Sequence, residues 1–279
     1  MDFDAFLADC RAEWRDFDDD MALARARHPR DRALRAVLDA VPGMATENKL
    51  VLLNRAVARL APGEVYVEIG CWQGLSLAGA VFGHGAAPAF ACDDFSEFGG
   101  PRAALLDTIA RWTAPEQVRF RDVDLRRFLA EAPWSPARVG VYFYDGGHDF
   151  DDQFVALQAM LPHLATDAAV VVDDTNWRHV RAANRFFAQH ARGFELIRDL
   201  RTRSAFSPTW WNGLQLYRWR GRPGTALPIP AGYDARRRWW DGAYLPVMRT
   251  WWGARAALGR VPGVRRAMLR LGRAPSTCS

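Results

Sequence analysis

The sequence predicts an α/β fold in which seven strands form a doubly wound, mostly parallel sheet with an antiparallel hairpin at its end. Three observations support this prediction. Short apolar runs alternate with segments of helical periodicity, a glycine-rich turn follows the first run, and acidic residues stand where several runs end. Several of the runs are apolar on both faces, as expected for strands that helices cover on two sides.

Residues 1–60 are predicted to be helical, with helical extensions at both ends of the chain. Apolar residues recur at helical spacing between Leu34 and Val41, and a Pro-Gly pair at 42–43 ends that helix. A second helix is expected from Glu47 to Leu60, with Thr46 as its N-cap.

The alternating region follows in order along the chain. Strands are expected at 64–70, 88–94, 118–124, 139–145, 168–174, 194–200 and 213–219. Helices are expected at 75–83, 102–112, 125–130, 151–164 and 179–191. Because helices separate the first five strands, these should be parallel. Only a loop, 201–212, joins the last two strands, so they should pair antiparallel at one edge.

The chain divides into three predicted segments: a helical region at 1–60, the alternating domain at 61–220 and a basic extension at 221–279. From Gly221 onward there are eleven arginines and two aspartates, so the extension carries +9 of a chain whose net charge is +5. The extension also interleaves arginine with tryptophan, which is typical of helices that contact an anionic membrane surface. The alternatives are a helical extension packed on the core, or a contact in a homo-oligomer.

Composition narrows the class of protein. A hydrophobic content of 49% and a charged content of 25% are ordinary for a globular domain. No apolar run reaches the roughly 18 residues of a membrane span, and the acidic N-terminus does not resemble a secretory signal. The scattered cysteines at 10, 71, 92 and 278 indicate reduced thiols, so a cytoplasmic location is expected. No nucleic-acid module accompanies the basic extension, and no nucleic-acid partner is expected.

The first strand ends in the turn V67-EIGCWQGLS-76, in which Glu68 precedes Gly70 and Gly74. Two such glycines allow a tight turn and close approach of a ligand to the backbone. The second strand ends in Asp93, placed to accept hydrogen bonds from a ribose, and the third is followed by Asp124, near the expected position of an adenine. These residues predict nucleoside binding; the alternative is a plain βαβ turn with solvated acids.

The fourth and fifth strands end in Asp145 and in the pair Asp173-Asp174, and His148 follows two glycines after Asp145. Neighbouring parallel strands lie about 4.8 Å apart, so these carboxylates should converge. Converging carboxylates repel one another unless a cation such as Mg²⁺ neutralises them, and a nearby histidine is suited to removing a proton. The alternative is that the aspartate pair caps the next helix and His148 is a surface residue.

Together, the stretches VYVEIGCWQG, ACDDF, FYDGGHDFDD and VVVDDTN resemble the class I methyltransferases that use S-adenosylmethionine. Within that class they are most similar to the metal-dependent small-molecule O-methyltransferases that act on sugars of natural products. The resemblance covers residues 60–220 and implies a Rossmann-like methyltransferase domain. One departure is H163-LATDAA-169, where the relatives have a Pro-Gly-Gly turn before the fifth strand.

The resemblance also implies roles for individual residues. Gly70 and Gly74 would approach the methionine part of S-adenosylmethionine, Asp93 would hold its ribose and Asp124 would lie by its adenine. His148 would be the general base. Further residues are assigned to the cofactor (Glu68, Ser76 and Asp145) and to Mg²⁺ (Asp145, Asp173 and Asp174).

The expected function is therefore Mg²⁺-dependent O-methylation of a small-molecule hydroxyl, with a natural-product sugar or glycoside as the acceptor. Trp210 and Trp211 either line the acceptor pocket or pack under the last hairpin. Three other functions are weighed: a metal-independent methyltransferase acting on nitrogen or a phenol, a non-catalytic binding subunit with this fold, and, ranked lowest, aminopropyl transfer.

Overall fold

A computed structural model describes residues 1–259, with side chains to residue 253. One compact unit spans Met1–Pro230, and a second begins at Ala231. The last part of the predicted basic extension, residues 260–279 with Cys278, lies outside the described residues.

The predicted seven-stranded fold is confirmed. The strands are β1 Glu64–Ile69, β2 Ala89–Asp93, β3 Val118–Asp122, β4 Arg138–Tyr144, β5 Leu164–Asp173, β6 Phe194–Leu200 and β7 Leu214–Trp219. Their order in the sheet is β3-β2-β1-β4-β5-β7-β6. The first five strands pair in parallel, and β7 pairs antiparallel with both β5 and β6. The strand order reverses between β1 and β4, which is where ligands bind in open α/β sheets.

Helices precede, flank and connect these strands in the first unit. They are α1 Phe3–Glu13, α2 Asp20–Leu23, α3 Arg35–Ala40, α4 Glu47–Val57, α5 Leu75–Val81, α6 Arg102–Trp112, α7 Leu125–Glu131, α8 Phe150–Met160 and α9 Arg178–His190. As predicted, Thr46 caps α4, its side chain accepting a hydrogen bond from the backbone N–H of Lys49.

The N-terminal helices share a hydrophobic core with the sheet. Phe6 of α1, Leu53 of α4 and Phe143 of β4 are all buried in one cluster. Arg218 of β7 also binds Asp4 of α1 at 2.8 Å. Residues 1–60 are therefore built into the first unit and bring their polar side chains close to the ends of the strands.

The fifth strand begins earlier than the predicted 168–174, in the segment where the relatives have a Pro-Gly-Gly turn. A short 3₁₀ helix at Leu161–His163 leads directly into β5, which is ten residues long and begins at Leu164. Asp167 has a φ of 63°, a left-handed conformation, and it lies where the pairing of β5 with β4 shifts register. Strand pairing thus replaces the Pro-Gly-Gly turn, and β5 still ends at Asp173.

The described part of the second unit is helical. An α-helix at Tyr233–Arg237 continues as a π-helix at Arg238–Tyr244 and then as an α-helix at Leu245–Gly259. Trp239 is exposed within this run. Membrane contact through the extension stays a prediction. In residues 1–259, no helix combines the length and the apolar character needed to cross a bilayer.

Candidate functional site

A cavity of ≈ 740 Å³ opens at the carboxyl ends of β1, β2, β4 and β5. Its wall includes seven of the residues predicted for the site: Gly70, Asp93, Asp124, Asp145, His148, Asp173 and Asp174. The other three, Glu68, Gly74 and Ser76, do not line it. The topology therefore gathers residues that are up to 104 positions apart in the chain, from Gly70 to Asp174, around one space.

The two glycines of the first turn are required for different reasons. Gly70 has a φ of +83°, and a Cβ there would lie 2.1 Å from the backbone oxygen of Asp145. Gly74 has a φ of +86°, and its Cβ would lie 2.8 Å from the side chain of Leu105. Gly70 thus lets β1 and β4 meet below the cavity, while Gly74 lets α5 pack against α6.

Glu68 lies beneath the turn and is fully buried. Its carboxylate accepts hydrogen bonds from the hydroxyls of Tyr66, at 2.5 Å, and Ser76, at 2.6 Å. Burial raises the pKa of Glu68 from 4.5 to about 7, although both hydrogen bonds oppose the shift. The predicted cofactor contacts of Glu68 and Ser76 stay predictions; in the structure this pair joins β1 to α5.

A pH-dependent stability is expected from this residue. The folded protein binds a proton on Glu68 more tightly than the unfolded chain, so its stability should fall as pH rises from 4.5 to about 7. Relative to a Glu68→Gln variant, the free energy of unfolding should fall by up to about 3 kcal/mol across that window and then stay level. Urea unfolding of both proteins from pH 4.5 to 8 measures this, and a difference that does not vary with pH would contradict it.

Asp93 and Asp124 lie on the part of the cavity formed by the ends of β2 and β3. Asp93 accepts hydrogen bonds from the backbone N–H groups of Trp72, at 2.7 Å, and Phe95, at 2.8 Å. Asp124 caps α7 by accepting from the N–H of Arg126 at 2.9 Å. Each side chain has one structural role, and both keep acceptor capacity toward the cavity, since a carboxylate oxygen can accept more than one hydrogen bond.

The opposite end of the cavity brings Asp145, His148 and Asp174 together. Each offers one metal-ligating atom, and these atoms lie within 4.8 Å of one another. Nε2 of His148 is 3.2 Å from an oxygen of Asp174 and 3.9 Å from an oxygen of Asp145. Trp177 holds the imidazole from the side, with ring centroids 4.6 Å apart. The aspartate pair does not cap α9, whose N-cap Trp177 makes no side-chain capping bond.

Asp173 also lines the cavity but is not part of this group, and it pairs with Lys49. Both oxygens of Asp173 contact Nζ of Lys49, and both side chains are 1% exposed. Asp173 as a direct ligand of a metal stays a prediction, and this ion pair disfavours it. Sequence reasoning missed Lys49, although it is the only lysine in the chain and the polar triplet Glu47-Asn48-Lys49 directly precedes the apolar run 50–53.

The two carboxylates nearest the imidazole have pKa values displaced in opposite directions. Burial and the negative charges of Asp173 and Asp174 raise the pKa of Asp145 well above its usual range. The side chain of Asp145 is still 28% exposed to the cavity, which moderates this effect. Burial alone would raise the pKa of Asp174, but its pKa is lowered. The contact with His148 and the positive charges of His148 and Lys49 favour the carboxylate anion.

Trp210 and Trp211 have separate environments. Trp210 is fully buried, and its indole N–H donates to the backbone oxygen of Leu23 at 2.7 Å. Trp211 lies on the cavity wall, where its ring meets that of Phe206 with centroids 5.2 Å apart. The structure therefore combines the two alternatives: one tryptophan packs in the core and its neighbour lines the cavity.

The comparisons with known proteins agree with this architecture. A family described as a methyltransferase domain matches residues 67–175. No curated protein matches the chain. A solved protein of Corynebacterium glutamicum has a TM-score of 0.52 at 16% identity, over 69% of this chain and 91% of its own.

Two O-methyltransferases have a similar fold. One, from Bacillus cereus in complex with S-adenosylhomocysteine, has a TM-score of 0.50 at 14% identity, over 72% of this chain and 96% of its own. The other, from Streptomyces achromogenes, is involved in tomaymycin synthesis and is complexed with S-adenosylmethionine. It has a TM-score of 0.50 at 17% identity, with the same two coverages, 72% and 96%. Residues 67–175 are therefore similar to a methyltransferase domain, and the chain has the fold of these solved O-methyltransferases.

Proposed function

We propose that this protein is a Mg²⁺-dependent O-methyltransferase that transfers the methyl group of S-adenosylmethionine to a hydroxyl of a small molecule. The observation that carries the proposal is the convergence of Asp145, His148 and Asp174 within 4.8 Å at one end of the cavity. Asp93 and Asp124, the residues predicted to bind the nucleoside, line the same cavity. The proposed cation site and the proposed cofactor site thus share one cavity.

The side chains present fit a divalent cation. Asp145 and Asp174 place two carboxylates beside each other, and hard cations such as Mg²⁺ prefer oxygen ligands. Nε2 of His148 has no aligned hydrogen-bond partner among the described residues, which leaves its lone pair available to accept a proton beside the ion. A bound Mg²⁺ would supply charge stabilisation for the acceptor oxygen as its proton leaves.

The proposed cofactor position follows from the acids of the other strands. Asp93 would accept hydrogen bonds from the ribose hydroxyls, and Asp124 would lie beside the adenine. Gly70 would place the methyl donor close to the ends of β1 and β4. The complexes of the two similar O-methyltransferases with S-adenosylmethionine and S-adenosylhomocysteine support this choice of cofactor.

His148 is the proposed general base. A hydroxyl is a weak nucleophile while it keeps its proton, and an imidazole can accept that proton at near-neutral pH. Asp174, whose oxygen is 3.2 Å from Nε2, would stabilise the imidazolium that results. Trp177 keeps the ring facing the cavity by an edge contact. Both reactants are then held in a confined space, which lowers the barrier further.

The lining of the cavity favours a neutral or cationic acceptor. Among the described residues that form the wall, eight are aspartate or glutamate and one, Arg126, is arginine. Arg126 is itself paired with Asp151 at 2.6 Å. A phosphorylated acceptor would be repelled by this field. Trp211 and Phe206 provide flat apolar surface for one face of a sugar, so we propose a natural-product sugar or glycoside as the substrate.

Removal of divalent cations tests the proposed chemistry. Purified protein is treated with EDTA and desalted, and S-adenosylhomocysteine release is measured on a panel of neutral glycosides, phenols and amines. We expect the activity on glycosides to fall at least about a hundredfold and to return with Mg²⁺. Undiminished activity without metal would support the metal-independent alternative. Activity confined to amines or phenols would refute the proposed acceptor, and none across the panel with Mg²⁺ present would favour a binding subunit.

A further inference from the structure

Lys49 reaches the candidate metal site from outside the methyltransferase sheet. It lies on α4, in the N-terminal helical region, and is 0% exposed. Its ammonium contacts both oxygens of Asp173, which is 124 residues away in the chain. Separating a buried ion pair is strongly destabilising, because each charge would be left uncompensated. The pair therefore holds α4 against the end of β5.

The first consequence concerns the charge available to a cation. Asp145, Asp173 and Asp174 would present three negative charges if all were free. Lys49 offsets the charge of Asp173 and contacts both of its oxygens, which leaves Asp145 and Asp174, beside His148, as the two carboxylates that can hold an ion. The lysine therefore determines which carboxylates of the cavity wall stay available to an ion.

The second consequence concerns the direction of Asp174. One oxygen of Asp173 accepts a hydrogen bond from the backbone N–H of Asp174 at 2.7 Å. Asp174 has a φ of 55°, in the left-handed region that residues other than glycine rarely adopt. A carboxylate held by Lys49 thus supports an unusual backbone conformation, and that conformation places the side chain of Asp174 3.2 Å from His148.

We propose that Lys49 is a positioning residue of the metal site: it keeps Asp173 out of the set of ligands and, through Asp173, aims Asp174 at the ion. The inference rests on the proposed Mg²⁺ dependence, because it concerns the same site. It assigns the N-terminal helical region a part in the chemistry of the domain.

The test is Mn²⁺ binding, followed by electron paramagnetic resonance, on the full chain and three variants. Lys49→Met frees a third carboxylate, so Mn²⁺ should bind at least about tenfold tighter, while turnover falls. Asp173→Asn leaves an unpaired ammonium near the ion, so Mn²⁺ should bind at least about tenfold more weakly. The double variant is neutral, and the asparagine oxygen can still accept from Asp174, so its affinity should return to within about threefold of the wild type.

Opposite shifts distinguish this role from a merely structural one, because a pair that only stabilises the fold would weaken binding in both single variants. Equal affinities in all four proteins, or weaker binding by Lys49→Met, would overturn the inference while leaving the proposed metal site intact. If the wild type binds no Mn²⁺, both the inference about Lys49 and the proposed metal site are refuted. If Lys49→Met does not fold, Asp173→Asn and the double variant decide, since the inference requires weak binding in one and restored binding in the other.

Discussion

Replacement of His148 by alanine is expected to lower kcat by about 10²- to 10⁴-fold, the usual contribution of a general base. The physical reason is the position of the imidazole: His148 lines the cavity together with the acids, and its Nε2 lies 3.2 Å from Asp174. Without the imidazole, the acceptor hydroxyl has no described nitrogen base at this end of the cavity. The measurement is steady-state turnover of the best acceptor at saturating S-adenosylmethionine and Mg²⁺.

Two further measurements separate a base from a metal ligand. His148→Gly leaves a space that added imidazole can fill, so imidazole should restore part of the turnover if proton removal is what was lost. Mn²⁺ affinity should change little, because Asp145 and Asp174 remain. A variant with normal kcat but weak Mn²⁺ binding would identify His148 as a ligand instead. His28→Ala is a suitable control, since His28 is 51% exposed and far along the chain from the strand ends.

The fold was predictable because its signals are local. Each central strand is a short apolar run, and each connection within the parallel part contains a segment of helical periodicity. The hairpin was predictable from the length of its loop. The order of the hairpin strands in the sheet was not predictable, because nothing in the sequence indicates that β7 lies between β5 and β6. The start of β5 was also missed, since Thr166 and Asp167 break the apolar run and Leu164 is in the strand only through its pairing with Val139 of β4.

The residues of the candidate site that lie at the ends of strands were predictable. Asp145 and Asp174 follow buried strands that are adjacent in the sheet, so their proximity follows from parallel pairing. Lys49 could not be placed in this way, because its contact with Asp173 depends on how α4 packs over the sheet. The two glycines show a related limit: both were expected to serve a ligand, yet a Cβ at either would first meet protein atoms.

The tryptophan pair shows how the N-terminal region is attached to the domain. Trp210 packs against Trp14 of the segment after α1, with ring centroids 5.5 Å apart. Trp14 in turn donates to Asn48 at 3.0 Å, and Asn48 donates to the backbone oxygen of Thr209 at 3.0 Å. Lys49 follows Asn48 directly. The loop before β7, the first helical segment and the helix that carries Lys49 therefore form one connected set of contacts.

Replacement of Trp210 by alanine is accordingly expected to lower the free energy of unfolding by about 3–5 kcal/mol, as for other large aromatic residues removed from a core. The variant loses the fully buried ring and leaves the backbone oxygen of Leu23 without its indole donor. Urea unfolding measures the loss. Trp211→Ala is the matched control, one residue further on at the cavity wall, and should cost less than about 1.5 kcal/mol while weakening acceptor binding. Similar stabilities of the two variants would contradict the assignment of Trp210 to the core, and with it the attachment of the Lys49 helix through this contact.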